Sequence, residues 1–379
     1  MRRILSVAVT TVALTIAWTV PAQATTTHVD ITKSQGETID GQYIVTFKTD
    51  TAATNAIASL SIDPLFTYSE LDGFAAQLSD SELTALQHDP RVAMIEEDSV
   101  VTVDSTQLNA TWGIDRIDQH NLPLSTTYTY NNTGSGVTAY IIDTGIDDTH
   151  PQFGGRAANV YNSAGGSNSD CNGHGTHVAG TVGSSTYGIA KAVTLRGVKV
   201  LNCAGSGSWA GVIAGMDWVT ANAVKPAVAN MSLGGAYNAS VNAAATRMAD
   251  AGVFTAVAAG NENANACNSS PASADNVTTV AASDRSDNRA YFSNYGDCVE
   301  VYAPGVDITS TWMGGGTNII SGTSMASPHV CGVAALYKGT YGDAPSATVN
   351  SWVVANATPN VISGNPAGTP NLLLFTAGL

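Results

Sequence analysis

Past its first forty residues the chain carries two rhythms of apolar and polar positions. From 40 to about 104 the elements are short. GQYIVTF (41–47) alternates as a half-buried strand, TAATNAIASL (51–60) has helical composition, and GFAAQLS (73–79) is a second strand. DSELTALQHD (80–89) follows as a helix opening on an acidic cap, and RVAMIEED (91–98) returns as strand. Two strand–helix repeats of this length predict a small α+β unit of the split βαβ, ferredoxin-like kind. The stretch from Glu96 to Thr111 turns polar and irregular and predicts a linker.

From Trp112 onward the rhythm changes. VTAYIID (137–143), AVANMSL (227–233), VFTAVAAG (253–260) and NVTTVAA (276–282) are near-continuous apolar runs of the length of buried parallel strands. Between them, Val212, Ile213, Met216 and Val219 share one helical face, as do Val241, Ala244, Ala245 and Met248. The alternation predicts an α/β fold, an open, mostly parallel sheet with helices on both faces. In such sheets reactive groups gather beyond the carboxyl ends of strands, where Asp143 ends one run and Asn261 follows another.

GTSMASPHVCG (322–332) opens an apolar helix. Proline is tolerated in a first turn, so Pro328 places the helix start near Ser324, where backbone N–H groups and the dipole favour an anion.

Composition narrows the class. With 44% hydrophobic and 12% charged residues the chain can fill a sizeable core, and its net charge of −15 argues against nucleic acid or an anionic membrane as partner. Arg2 and Arg3, an apolar run from Ile4 to Val20 and Ala22-Gln23-Ala24 predict a signal peptide over 1–24, hence a secreted, extracellular protein. Five cysteines in an oxidising compartment predict two disulfides and one leftover thiol. Cys331, inside the apolar helix, is expected to be the buried, unpaired one.

Three polar residues at element ends are not explained by packing: Asp143, His174 among glycines in CNGHGTHVAG, and Ser324. A serine becomes a nucleophile when an imidazole takes its proton and a buried carboxylate holds the imidazole tautomer. Asp, His, Ser is the chain order of subtilisin. His177, three residues from His174, raises a zinc alternative, but the zinc-peptidase spacing needs a second His four residues on and a Glu where Gly175 stands.

IIDTGI, GHGTHVAG, NMSLGG, AAGNENANAC, FSNYG and SGTSMASPHV together resemble the subtilisin-like serine proteases, specifically their proteinase K and aqualysin branch. The likeness runs from about Trp112 to the C-terminus, and the unit at 40–104 resembles the family's inhibitory pro-segment. It implies a pro-segment over 25–104 and a catalytic domain over 105–379 in a self-processing, monomeric precursor whose freed pro-segment inhibits it. It implies that Asp143 orients His174, that His174 is general base and then acid, and that Ser324 forms an acyl-enzyme. Asn261 would donate to the oxyanion beside the Ser324 N–H; losing such a donor costs about 100 to 1,000-fold, a magnitude measured on a member of that family. Protein or peptide substrates would lie as an added strand between Gly205-Ser206-Gly207 and Ser232-Leu233-Gly234. Trp209 would rim a distant subsite, and Ala258, Ala259 and Gly260 a roomy apolar pocket for the residue before the cut.

The resemblance also pairs Cys171 with Cys203 and Cys267 with Cys298. It implies one or two structural calcium sites and no catalytic metal. The carbonyls of Asp275 and Val277 with the Glu300 carboxylate would form one, a glutamate standing where the family more often has aspartate. Asp115, Asp118 and Gln119, with Ser125 and Thr127, would form the other, although solvated turn acids explain the same residues. Rival readings are a metal-dependent peptidase using His174 and His177 and a silent, substrate-binding scaffold.

Overall fold

The computed structural model describes residues 28–34, 38–48, 52–100 and 105–379. The expected signal peptide (1–24) and Asp104, the residue before the expected cut, lie outside the described residues. The chain divides into two compact units, 1–100 and 101–379.

In the first unit the order is β1 (Ile31–Thr32), β2 (Thr38–Phe47), α1 (Ala52–Leu60), β3 (Pro64–Tyr68), β4 (Gly73–Gln77), α2 (Asp80–Gln87) and β5 (Val92–Ser99), in a sheet ordered β1-β5-β2-β4-β3. From β2 to β5 this is the ferredoxin-like βαββαβ path. Val45, Phe74, Leu86, Val92 and Ile95 are fully buried in its core. Two details differ from the pattern reading. Ser79, not an acid, caps α2, in a box closed by Glu82. The edge strand β3 was not foreseen, because its largely exposed residues show no alternation.

The second unit runs β6 (Ser105–Leu108), α3 (Trp112–Arg116), β7 (Thr127–Tyr130), β8 (Thr138–Asp143), β9 (Ala157–Asn162), α4 (His174–Gly183), β10 (Thr194–Lys199), α5 (Trp209–Asn222), β11 (Ala227–Met231), β12 (Gly235–Ala236), α6 (Ala239–Asp250) and β13 (Phe254–Ala258). It continues through β14 (Ser269–Ser270), β15 (Thr278–Ser283), β16 (Val301–Pro304), β17 (Ile308–Trp312), β18 (Gly316–Ile320), α7 (Thr323–Tyr341), α8 (Ser346–Asn356), β19 (Thr358–Pro359) and β20 (Leu372–Leu373). The main sheet is ordered β19-β20-β16-β15-β13-β11-β8-β10-β9 and is parallel except for the β19–β20 pair. β6 pairs antiparallel with β7, so part of the stretch expected to be irregular is strand. Thr106 faces Thr129 across the pair, their hydroxyls 3.3 Å apart.

Successive residues of β8 feed opposite cores. Ile141 packs with Val178 and Val182 of α4 and Val330 and Val333 of α7. Tyr140 and Ile142 pack with Val212 and Met216 of α5 and Val241 and Met248 of α6. A sheet buried on both faces explains why its strands read as unbroken apolar runs.

Helix α7 begins at Thr323, next to the expected start near Ser324, but Pro328 is its sixth residue and lies beyond the first turn that was expected to hold it. Cys331 in the same helix is buried and free.

At the start of the unit, Arg116 is fully buried and forks onto Asp287 at 2.7 and 2.9 Å, with two further donors on the carbonyls of Gln119 and His120. Removing one partner of a buried pair strands the other charge, at a cost of about 3–5 kcal/mol. Asp287→Ala should lower the melting temperature by roughly 10 °C for a unit of this size, measured by scanning calorimetry. A shift under 2 °C would show that the guanidinium finds other compensation.

Candidate active site

Asp143 is the last residue of β8 and is fully buried. Both carboxylate oxygens face His174 Nδ1, at 2.8 and 3.0 Å, and Oδ1 also accepts the Thr144 N–H at 2.7 Å. A carboxylate on Nδ1 fixes the tautomer that leaves Nε2 free to take a proton. Burial pulls the His174 pKa down, but the Asp143 charge and hydrogen bond, with Asp170 behind, outweigh it and the net shift is upward.

His174 opens α4 because the turn before it is fixed from below. Asp170 accepts the N–H groups of Asn172, Gly173 and Thr176 and the hydroxyls of Thr144 and Thr176. Gly173 sits at φ +107° against Trp312, where an added Cβ would fall 2.3 Å from the ring. Gly175 meets the Gly145 carbonyl, and a Cβ there would lie 2.1 Å from its oxygen. The glycines around His174 are therefore steric requirements.

Ser324 is the second residue of α7. Its Oγ donates to the Ser232 carbonyl at 3.3 Å, and among the described residues no hydrogen bond joins it to His174. Such bonds are often open in a substrate-free site. Asn261 stands just past β13, and its Oδ1 accepts the Thr323 N–H at 2.8 Å and the Thr323 hydroxyl at 3.0 Å. The Gly260 N–H donates to that same hydroxyl oxygen, which commits its hydrogen to Asn261. The Asn261 NH2 is thereby left for the hollow that it lines with Ser324.

A cleft of about 580 Å³ is lined by His174, Gly205, Ser206, Gly207, Trp209, Ser232, Leu233 and Gly234. Leu233 and Gly234 also line the neighbouring hollow of about 360 Å³, together with Ala258, Ala259, Gly260, Asn261 and Ser324. The small apolar wall is present, and polar residues, Glu262, Asn265 and Asn268, complete the hollow. Trp209 lines the cleft and also packs on Gly235 and the core behind α5.

Disulfides join Cys171 to Cys203 and Cys267 to Cys298, the first tying the loop before His174 to the loop that leads into Gly205. Away from the cleft, Asp115 accepts the N–H groups of Ser125 and Thr126 and the Ser125 hydroxyl, while Gln119 Oε1 accepts the Ser125 N–H. Asp118 takes the Thr129 N–H on one oxygen, and its other oxygen is buried without a partner. Asp275, Val277 and Glu300 line another hollow of about 350 Å³.

Comparison with known proteins fits this arrangement. Residues 134–375 match the subtilase family (Peptidase S8), and residues 61–104 match peptidase inhibitor I9. The chain belongs to the subtilase family. It is 47% identical over 371 residues to an extracellular serine proteinase of Thermus sp. (strain Rt41A), covering 90% of each chain. It is 45% identical over 353 residues to proteinase R of Parengyodontium album, again covering 90% of each. The crystal structure of a cold adapted subtilisin-like serine proteinase superposes with a TM-score of 0.69 at 50% identity, covering 71% of this chain and 98% of that one. This subtilase is a serine protease with an I9-type pro-segment, and the resemblance read from its motifs is correct.

Sequence reasoning passed over Asp170, Thr323 and Glu262. An aspartate four residues before His174, ahead of a glycine turn, was a capping signal for the first. Thr323 acts through Asn261, far from it in sequence, and Glu262 is brought to the hollow's wall by the fold. His177 is buried in this subtilase, with one ring nitrogen on the Ile308 carbonyl and the other unpartnered, so it does not face outward beside His174.

Burial pushes the pKa of both His177 and His329 down to about 4 from 6.5. Between those values the unfolded chain binds protons that the folded chain refuses, so stability falls as pH drops from 6.5 toward 4, by about 1.4 kcal/mol per pH unit for each histidine. The urea midpoint should fall between pH 7 and pH 5, and less steeply in His329→Gln. Parallel profiles for the two proteins would exclude His329 as a source of acid lability.

Proposed function

We propose that this subtilase is a secreted endopeptidase that cuts flexible or denatured proteins through an acyl-enzyme on Ser324. The observation that carries the reading is the buried Asp143 on His174 Nδ1 in the cleft, next to a hollow that shares Leu233 and Gly234 with it and holds a serine at a helix start. His174 takes the Ser324 proton as Oγ attacks the peptide carbonyl, then delivers it to the leaving amine. The Asn261 amide and the Ser324 N–H meet the oxyanion that forms. Main-chain atoms of the 205–207 and 232–234 edges hold the substrate as a strand, which makes specificity broad. Ala258, Ala259 and Gly260 favour an apolar residue before the cut. All these groups belong to one chain, which fits action as a monomer.

Processing near Ser105 would release the pro-segment, which then inhibits until degraded. Intact mass of the secreted protein tests both this and the nucleophile. Wild type should lose roughly its first hundred residues, while Ser324→Ala keeps its pro-segment. If both are trimmed alike, another protease cuts the precursor and self-processing is wrong.

Calcium is proposed as a structural ion. At the end of α3 and just beyond it, the buried, unpartnered Asp118 oxygen beside Asp115 and Gln119 is what a hard cation would satisfy. Burial, with Asp115 repulsion adding to it, pushes Asp118 up to about 6, a cost that a bound cation would remove. Glu300, pushed up to about 7 by burial, would hold a second ion with the carbonyls of Asp275 and Val277. Calcium would cross-link loops and take no part in bond cleavage. A site held at 100 times its dissociation constant adds about 2.7 kcal/mol. Chelator should therefore lower the melting temperature, and Asp118→Asn should raise the calcium concentration needed to restore it by about tenfold or more. An identical calcium titration for the variant would remove Asp118 from the site.

A further inference from the structure

Pro328 has no N–H, so the Ser324 carbonyl four residues earlier is denied its helical donor, and the proline ring crowds it. That carbonyl is not left empty. The Ser232 hydroxyl donates to it at 2.7 Å. Since a carbonyl only accepts, Ser232 must itself accept from Asn230 Nδ2, at 2.8 Å. The amide is then oriented with Oδ1 toward Ser327, whose hydroxyl donates at 2.7 Å. Asn230 and Ser327 are fully buried and Ser232 is 3% exposed, so water does not substitute for any member.

We propose that Asn230, Ser327 and the Ser232 hydroxyl form a positioning relay for the nucleophile, replacing the donor that Pro328 removes. This rests on Ser324 being the nucleophile. The peptide ahead of Thr323 is held by its N–H on Asn261, and the peptide after Ser324 is held by the relay. Between these two anchors the backbone torsions around Ser324 are fixed, and with them the direction of its Oγ and of its N–H. The relay's side chains bond one another and Ser324, whereas the substrate edge uses the main chain of Ser232, so loss of the relay shows in kcat more than in KM.

Two comparisons test it, each on enzyme matured in trans with wild-type protease and checked by thermal melting. At position 327, threonine keeps the hydroxyl and valine copies threonine's shape without it. Ser327→Thr should retain wild-type kcat on a peptide nitroanilide, and Ser327→Val should lose about tenfold or more with KM within about twofold, as a misplaced reacting group does. Ser232→Ala should show the same loss, and adding Pro328→Ala should recover most of it by giving Ser324 a backbone donor. Equal kcat for the valine and threonine variants, or a double variant no faster than Ser232→Ala, overturns the relay. The Ser232/Pro328 pair decides alone if Ser327→Val does not fold. Mapping a phenylmethylsulfonyl label by mass separates the two readings: label away from Ser324 refutes the nucleophile, whereas label on Ser324 with unchanged kcat refutes only the relay.

Discussion

Placing a carboxylate at the fully buried end of a sheet strand carries a desolvation penalty that only directed donors offset. Around Asp143 the requirement is met by His174 on one side and the Thr144 N–H on the other. Each donor then needs a fixed position of its own. Thr144 is held through its hydroxyl, which donates to Asp170 and accepts from Gly175, so the two loops that carry Asp143 and His174 are bonded into one piece. Asp170 in turn gathers the turn that opens α4. The local architecture from β8 to α4 follows from satisfying two buried acids.

The serine side is built on the same logic with neutral groups. Thr323 spends its N–H and its hydroxyl on one oxygen of Asn261, which decides which end of that amide faces the cleft. Ser232 serves with both ends, its hydroxyl on the Ser324 carbonyl and its own carbonyl under the Ser324 hydroxyl. A residue that reads in sequence only as part of an expected substrate edge is therefore also tied to the helix that carries Ser324.

What was legible in the sequence follows from which forces are local. Strands buried on both faces appear as apolar runs, so β8, β11, β13 and β15 were readable, and with them the places where Asp143 and Asn261 emerge. Helices α5 and α6 showed their buried stripes. The edge strand β3 and the strand β6 carry no such signature, since pairing rather than burial makes them strands. The start of α7 near Ser324 was legible, but the place of Pro328 beyond the first turn was not, because a proline deeper in a helix takes the backbone donor from a carbonyl unless another group supplies one. Here a hydroxyl from another strand's end pairs it, and nothing near Pro328 in sequence announces Ser232.

The same distinction applies to the chemistry. Residue types at element ends singled out Asp143, His174 and Ser324 as candidates, while the groups that aim them are spread over distant segments and emerge only with the fold. The connections converge beyond the carboxyl ends of β8, β11 and β13, where crossover connections leave a crevice that polar side chains can share. A rigid, doubly covered sheet beneath supplies fixed strand ends; the hydrogen-bonded loops convert those ends into orientations. Misplacing a reacting group by about 1 Å can cost 100-fold, so a scaffold that positions backbone but not side chains would be insufficient. In this chain the buried polar groups behind the cleft complete that task, and their arrangement ties the helix that carries Ser324 to the same sheet whose strand β8 ends in Asp143.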